Sequence, residues 1–161
     1  MADFINTIDL WGDEETLDMI LEEAITEFND DTLTIIGAYA FFESPLLKKV
    51  KLPSVTTVVG NAFGRCTSLE IVDLSSKADI HNYAFYVCYN LKALILRSSE
   101  GIGNVGGLNF NTDKMYIYVP RALLESCKEN TAWANWKDRF RALEDYTVDG
   151  TITGELDESK I

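Results

Sequence analysis

Apolar residues in the middle of this chain recur at a fixed step of 22 positions. Ile36, Val58 and Ile80 form one column, and the pairs Ala40-Phe41, Ala62-Phe63 and Ala84-Phe85 form the next. Leu47, Leu69 and Leu91 follow, then Val50, Val72 and Leu94, then Leu52, Leu74 and Leu96. The closing apolar-x-Leu alternates with period two, which predicts a short strand buried on one face. A single repeat of this length cannot bury its own apolar side, so the columns must stack on one another. The pattern predicts an α/β repeat fold, a short solenoid with a one-sided β-sheet, carrying three full repeats over residues 35–100.

The flanks read as covers for this stack. In residues 1–34, Asp13 suits a helix N-cap, and Glu14 and Glu15 complement the helix dipole. Leu17, Ile20, Leu21, Ala24 and Ile25 then follow at helical spacing. Ile25 and Phe28 lie 22 residues before Leu47 and Val50, so a degenerate first repeat places a strand at Thr26–Phe28 and a turn at Asn29-Asp30-Asp31. Residues 101–119 read as a decayed fourth repeat, with Ile102 in register with Ile80, and Tyr116 and Tyr118 in register with Leu94 and Leu96. Gly106-Gly107 replace the Ala-Phe pair there, and Phe110 is the candidate for the missing ring. The repeat region as a whole is thus 35–119. Residues 120–144 read as a helical C-terminal cap: Pro120 suits a first helical position, and Trp133, Trp136 and Phe140 at spacings of three and four cover the open end. Residues 145–161 read as an acidic tail.

The unit itself resembles the BspA-like bacterial leucine-rich repeat, Ile-Gly-x-x-Ala-Phe-x-x-Cys-x-x-Leu-x-x-Val-x-Leu. Here it is spelled Ile36-Gly37-Ala38-Tyr39-Ala40-Phe41, then Ala62-Phe63-Gly64-Arg65-Cys66-Thr67-Ser68-Leu69, then Ala84-Phe85-Tyr86-Val87-Cys88-Tyr89-Asn90-Leu91. The close, Tyr116-Ile117-Tyr118-Val119-Pro120 before a Trp-bearing segment and an acidic tail, is similar to that of short repeat proteins of gut Firmicutes encoded in prophage or phage tail regions. The resemblance implies a short leucine-rich-repeat solenoid with helical N- and C-terminal caps, protein or glycan binding, and no catalysis.

Charge is uneven along the chain. Residues 1–31 hold eleven acidic groups and no Lys or Arg, residues 32–119 six acidic and eight basic, and residues 120–161 nine acidic and six basic, for a net charge of −12. No basic stripe is present to displace counterions, which argues against direct nucleic-acid binding. The acidic end reads either as a solvated cap or as a handle for a basic partner. No run of 18 apolar residues exists, so no membrane span is expected. Met1-Ala2-Asp3-Phe4 carries no basic n-region, so the expectation is no ordinary signal peptide and synthesis in the cytoplasm, with a virion or cell-surface location after release.

Little in the sequence points to chemistry. His81, the single histidine, has no Cys or His at metal spacing and no serine in an oxyanion context. Gly101-Ile102-Gly103-Asn104-Val105-Gly106 spells GxGxxG but lacks the strand-to-helix context that gives the string its meaning. No catalytic, metal or cofactor residues are assigned, and no cofactor is expected. Cys66 and Cys88 share a column that Ser44 holds one repeat earlier, as buried thiols acting as small hydrophobes would. An odd count of three cysteines favours free thiols.

Two surfaces are candidates for a partner. On the sheet, Lys49 and Lys51, Ile71 and Asp73, Ala93 and Ile95, and Met115 and Ile117 are expected to face solvent, and the apolar end at Ile95, Met115 and Ile117 is either an interaction patch or is covered by the tail. On the turns, Tyr39, Phe42, Tyr83, Tyr86 and Tyr89 flank the Ala-Phe core positions, either as a recognition surface or as filling between rungs. The expected function is a non-enzymatic protein-binding or structural module of a phage or prophage particle or a bacterial surface assembly, with a protein or surface-glycan partner or a second copy of itself. The alternative is a soluble acidic inhibitor that blocks a basic groove of a host nucleic-acid enzyme with residues 1–31, a reading that salt would separate from the first.

Overall fold

The computed structural model describes residues 26–75, 77–109, 112 and 114–146. The helix expected at residues 13–25, most of the acidic segment 1–31, Phe110, and all but the first two residues of the tail lie outside the described residues.

The 22-residue step becomes a parallel sheet. Strands β1 (Glu27–Asn29), β3 (Lys49–Leu52), β5 (Ile71–Leu74) and β7 (Ala93–Leu96) pair in register, Phe28 with Val50, Val50 with Val72, and Val72 with Leu94. β8 (Tyr116–Val119) and β9 (Phe140–Ala142) extend this sheet to six strands in the order β1-β3-β5-β7-β8-β9. A second parallel sheet joins the two-residue strands β2 (Ile35–Ile36), β4 (Thr57–Val58) and β6 (Asp79–Ile80). The core lies between the two, filled by the predicted columns. Val50, Leu52, Val72, Leu74 and Leu94 are fully buried, and Phe41, Phe63 and Phe85 stack through its centre. Phe28 meets Phe41 with ring centroids 5.0 Å apart, so the degenerate first repeat does join the stack.

Each repeat turns by the same backbone device. Tyr39, Asn61 and Tyr83 have φ of 60°, 60° and 63°, and four residues later Glu43, Arg65 and Val87 have φ of 56°, 59° and 59°. These left-handed positions aim main-chain N–H groups at the next rung: Phe41 N donates to Ala62 O at 2.7 Å, and Arg65 N donates to Tyr86 O at 2.6 Å. Ala40, Ala62 and Ala84, almost fully buried, leave room for that close approach.

The fourth repeat departs from the expected register. Ile80 bridges Val105 rather than Ile102, a step of 25 residues, and Leu94 pairs with Ile117 rather than Tyr116, a step of 23. A one-residue slip flips every side chain of a strand to the other face. Ile117 and Val119 therefore enter the core, where their apolar side chains need no hydrogen-bond partner, and Tyr116 and Tyr118 take the outer face. Met115 is fully buried as well. Leu108, also fully buried, fills core beside Gly106-Gly107, where the Ala-Phe ring is missing.

The C-terminal segment is helical over only part of the expected range. A 3-10 turn at Arg121–Leu123 leads into helix α1 (Leu124–Glu129), and 3-10 turns at Thr131–Arg139 follow. Asn130 caps that restart by accepting from Ala132 N at 2.9 Å. Trp133 is fully buried, and its indole N–H donates to Gly103 O at 2.8 Å. Phe140, expected on a helix with the tryptophans, instead sits on β9 opposite Ile117, 23 residues on, and places its ring 5.8 Å from Trp133.

Candidate interaction surfaces

The outer face of the larger sheet is not the open apolar surface that the sequence suggested. Ile71, Ala93, Ile95 and Tyr118 do lie on that face, but Leu143 and Tyr146 cover them and form a second small core. Tyr146 meets Tyr118 at 4.9 Å, edge to face. Burial raises the Tyr146 phenol well above its ordinary value, and the neighbouring Tyr118 and Asp73 add to the shift. Beneath this cover Asp73 is fully buried and receives the Arg97 guanidinium at 2.8 and 3.1 Å. Ile95 is thus a covered residue, and Met115 and Ile117 belong to the main core, because the register slip turned them inward. The cover carried one legible signal, the apolar pair Leu143 and Tyr146 beyond the last strand; the buried Asp73–Arg97 pair carried none.

The turn aromatics are exposed, and they are ordered. Tyr39 is 54% exposed and Tyr83 48%. Each pairs edge to face with the ring three residues on, Tyr39 with Phe42 at 5.1 Å and Tyr83 with Tyr86 at 5.9 Å. The same left-handed φ holds both tyrosines, so one backbone geometry builds the dyad twice, two rungs apart. The rung between carries Asn61 and Gly64 in the same columns. The Phe42 ring leans over Gly64, where a Cβ would meet it at 2.8 Å. Tyr89 is exposed too but forms no ring pair with either dyad among the described residues. Segments 39–42, 61–64 and 83–86 contain no ionisable group except the tyrosines, and the flanking Glu43 and Arg65 neutralise each other at 2.9 Å.

The model of the BspA type leucine-rich repeat region, with six copies, matches residues 22–122. The chain belongs to this BspA-type leucine-rich repeat family. No curated protein and no solved structure matches the chain.

BspA-type repeats mediate protein interactions and are typically non-enzymatic. Among the described residues of this BspA-type chain, no group of three or more His, Cys, Asp or Glu is placed to hold a metal ion. No helix of the described residues is long and apolar enough to cross a membrane. An open groove of about 570 Å³ lies on the smaller sheet, lined by Asp79, His81, Asn82 and Asn104. Its polar groups largely hold the long fourth-repeat loop: Asp79 accepts from Asn104 N at 2.7 Å, and Asn82 from Gly107 N at 2.6 Å. The family's cysteine column is structural here. Cys66 Sγ donates to Phe41 O at 3.0 Å and Cys88 Sγ to Phe63 O at 3.1 Å, and burial pushes the Cys66 thiol up to about 12. A thiol held protonated in this way is a poor nucleophile.

Proposed function

We propose that this chain is a non-enzymatic protein-binding module that engages its partner through the turn aromatics, in a phage or prophage particle or a bacterial surface assembly. One observation carries the reading: the Tyr39–Phe42 and Tyr83–Tyr86 dyads repeat the same geometry on an exposed, uncharged strip. Rigid aromatic side chains bury large areas at low ordering cost, and a stacked backbone orders them before the partner arrives. The BspA-type family membership supports binding over catalysis. The phage or surface setting is supported by the resemblance of the chain's close to short prophage-encoded repeat proteins.

The test is capture from a bacterial lysate carrying the induced prophage, with the full chain immobilised and the retained proteins identified by mass spectrometry. The double variant Tyr39→Asn/Tyr83→Asn, which suits the left-handed backbone as Asn61 does, is expected to lose a specific partner that the unmodified chain retains at high salt. A partner that leaves with salt and ignores the double variant would favour the acidic-inhibitor reading instead.

A further inference from the structure

We infer that the partner presents a proline-rich segment in the polyproline II conformation, laid along the stack across the two aromatic dyads. This rests on the turn aromatics being the binding surface. The argument is one of spacing. Phe41–Phe63 and Phe63–Phe85 place successive rungs 5.0 and 5.4 Å apart in the core, so the dyads at Tyr39 and Tyr83 repeat at about twice the ~4.8 Å strand spacing. A polyproline II helix has three residues per turn and rises ~3.1 Å per residue, a pitch of roughly 9 Å. One turn of such a helix therefore carries equivalent residues from one dyad to the next. An extended β-strand, which repeats every ~6.7 Å, and an α-helix, with a pitch of ~5.4 Å, do not share this step.

The surface chemistry agrees. Tyr39 and Tyr83 stand on either side of Asn61, whose short side chain leaves a notch between two aromatic walls, and Phe42 lies low over Gly64 as part of its floor. Aromatic ridges separated by notches are how prolines are held in grooves, and tyrosine hydroxyls can donate to the unpaired carbonyls of a polyproline II backbone. In a chain of net charge −12, the strip 39–42, 61–64 and 83–86 has no Asp, Glu, Lys or Arg, which matches a neutral segment better than a charged one. The preformed ligand also loses little entropy on docking.

The experiment is isothermal titration of the full chain with an oligoproline peptide about ten residues long, against a Gly-Ser peptide of equal length. Saturable binding of oligoproline alone is expected. Tyr39→Asn and Tyr83→Asn should each weaken it about tenfold or more, the loss of one well-packed aromatic contact. Asn61→Tyr should abolish it by filling the notch, although it adds an aromatic ring. Circular dichroism and the melting temperature establish that each variant is folded. Equal heats for the two peptides, or oligoproline binding that survives Asn61→Tyr, would overturn the inference. If oligoproline fails while Tyr39→Asn/Tyr83→Asn still loses the captured lysate partner, the aromatic surface stands and only the polyproline reading falls.

Discussion

The Phe41 and Phe63 rings lie face to face, with centroids 5.0 Å apart and planes 3° from parallel. Phe85 continues the stack 5.4 Å beyond Phe63. Phe63 is thus the ring with a phenyl neighbour on both sides, and it is fully buried. Truncating a buried Phe costs ~3–5 kcal/mol, and aromatic pairs add ~0.5–1.5 kcal/mol each beyond buried area. Phe63→Ala is expected at or above the top of the first range, and Phe63→Leu at less than half the Ala value. Urea unfolding measures both; a Phe63→Ala loss below ~2 kcal/mol would show that the stack re-closes around the gap.

Val87 holds φ 59°, a left-handed conformation that β-branched residues rarely adopt. Asn61 holds the same region at another turn position with the residue type that suits it. The Val87 N–H donates to Asn109 O at 3.3 Å, so the backbone must keep this shape whatever the side chain. Val87→Asn is therefore expected to stabilise the fold by about 1 kcal/mol. Asn61→Val, the reverse exchange at the equivalent type of position, should lose a similar amount. Thermal melts of the two variants should move in opposite directions, and movement in the same direction refutes the strain argument.

The repeats were legible because every column agreed. Ile36, Val58 and Ile80, the Ala-Phe pairs and the Leu columns all take one step, and the strand pairings of β1, β3, β5 and β7 follow it without exception. The fourth repeat was not legible for a physical reason. Tyr116-Ile117-Tyr118-Val119 is apolar or aromatic at every position, so its alternation fits either face. Core demand decided the register by taking the residues without hydroxyls, Ile117 and Val119. That same choice sent Tyr118 outward to meet Tyr146, which closed the sheet face and removed Ile95, Met115 and Ile117 as an exposed patch. The turn aromatics were legible as residues but not as dyads, because left-handed backbone at Tyr39 and Tyr83 has no signal in a tyrosine.

Asp73 is fully buried, and the Arg97 side chain that pairs with it is only 17% exposed. Removing one partner of a buried ion pair leaves an uncompensated charge and costs ~3–5 kcal/mol, whereas replacing both by apolar residues is often neutral or stabilising. Arg97→Leu is expected to be severely destabilising. Adding Asp73→Leu should recover most of that loss, since Ile71, Ala93 and Ile95 already surround the site with apolar atoms. A double-mutant cycle by urea unfolding measures the coupling. Two single losses that simply add would mean the pair is not coupled.

Stability should fall on the alkaline side well before lysines titrate. Cys66 has its folded value raised by burial to about 12, and Cys88 is raised for the same reason. A group whose folded value lies above its unfolded one contributes fully below the unfolded value, about 8.5 for a thiol, and loses that contribution as pH rises through the folded value. The decline therefore starts near pH 8.5, and Tyr146 joins it above about 10, the ordinary phenol value. Asp30 works on the acid side. The Thr32 hydroxyl, with the Thr32 and Leu33 N–H groups, lowers its carboxyl, so its contribution is present above about 3.9 and is lost as pH falls below that. Denaturation midpoints between pH 7 and 10 should drop for the unmodified chain and stay flatter in Cys66→Ala/Cys88→Ala. Equal slopes would mean that the thiols do not control this window.

Leu143 and Tyr146 cover Ile71, Ala93 and Ile95, while Arg121 holds the same turn from outside, its N–H donating to the Glu144 carboxylate and its guanidinium to Asp145 at 2.7 Å. The two attachments should differ greatly in weight. The Arg121–Asp145 pair is solvent-exposed, and such pairs contribute ~0–1 kcal/mol. The covered apolar face is instead excluded from water, at about 25 cal/mol for each Å² of apolar surface buried. Arg121→Ala is therefore expected to leave the melting temperature nearly unchanged. Leu143→Ser/Tyr146→Ser should open the face, bind an apolar dye and promote concentration-dependent self-association, because an uncovered sheet patch of this kind seeks another surface. The contrast decides which contact closes the sheet. If Arg121→Ala also raises dye binding, the exposed ion pair holds the cover; if only the serine variant does, apolar burial holds it and the charges merely decorate its rim.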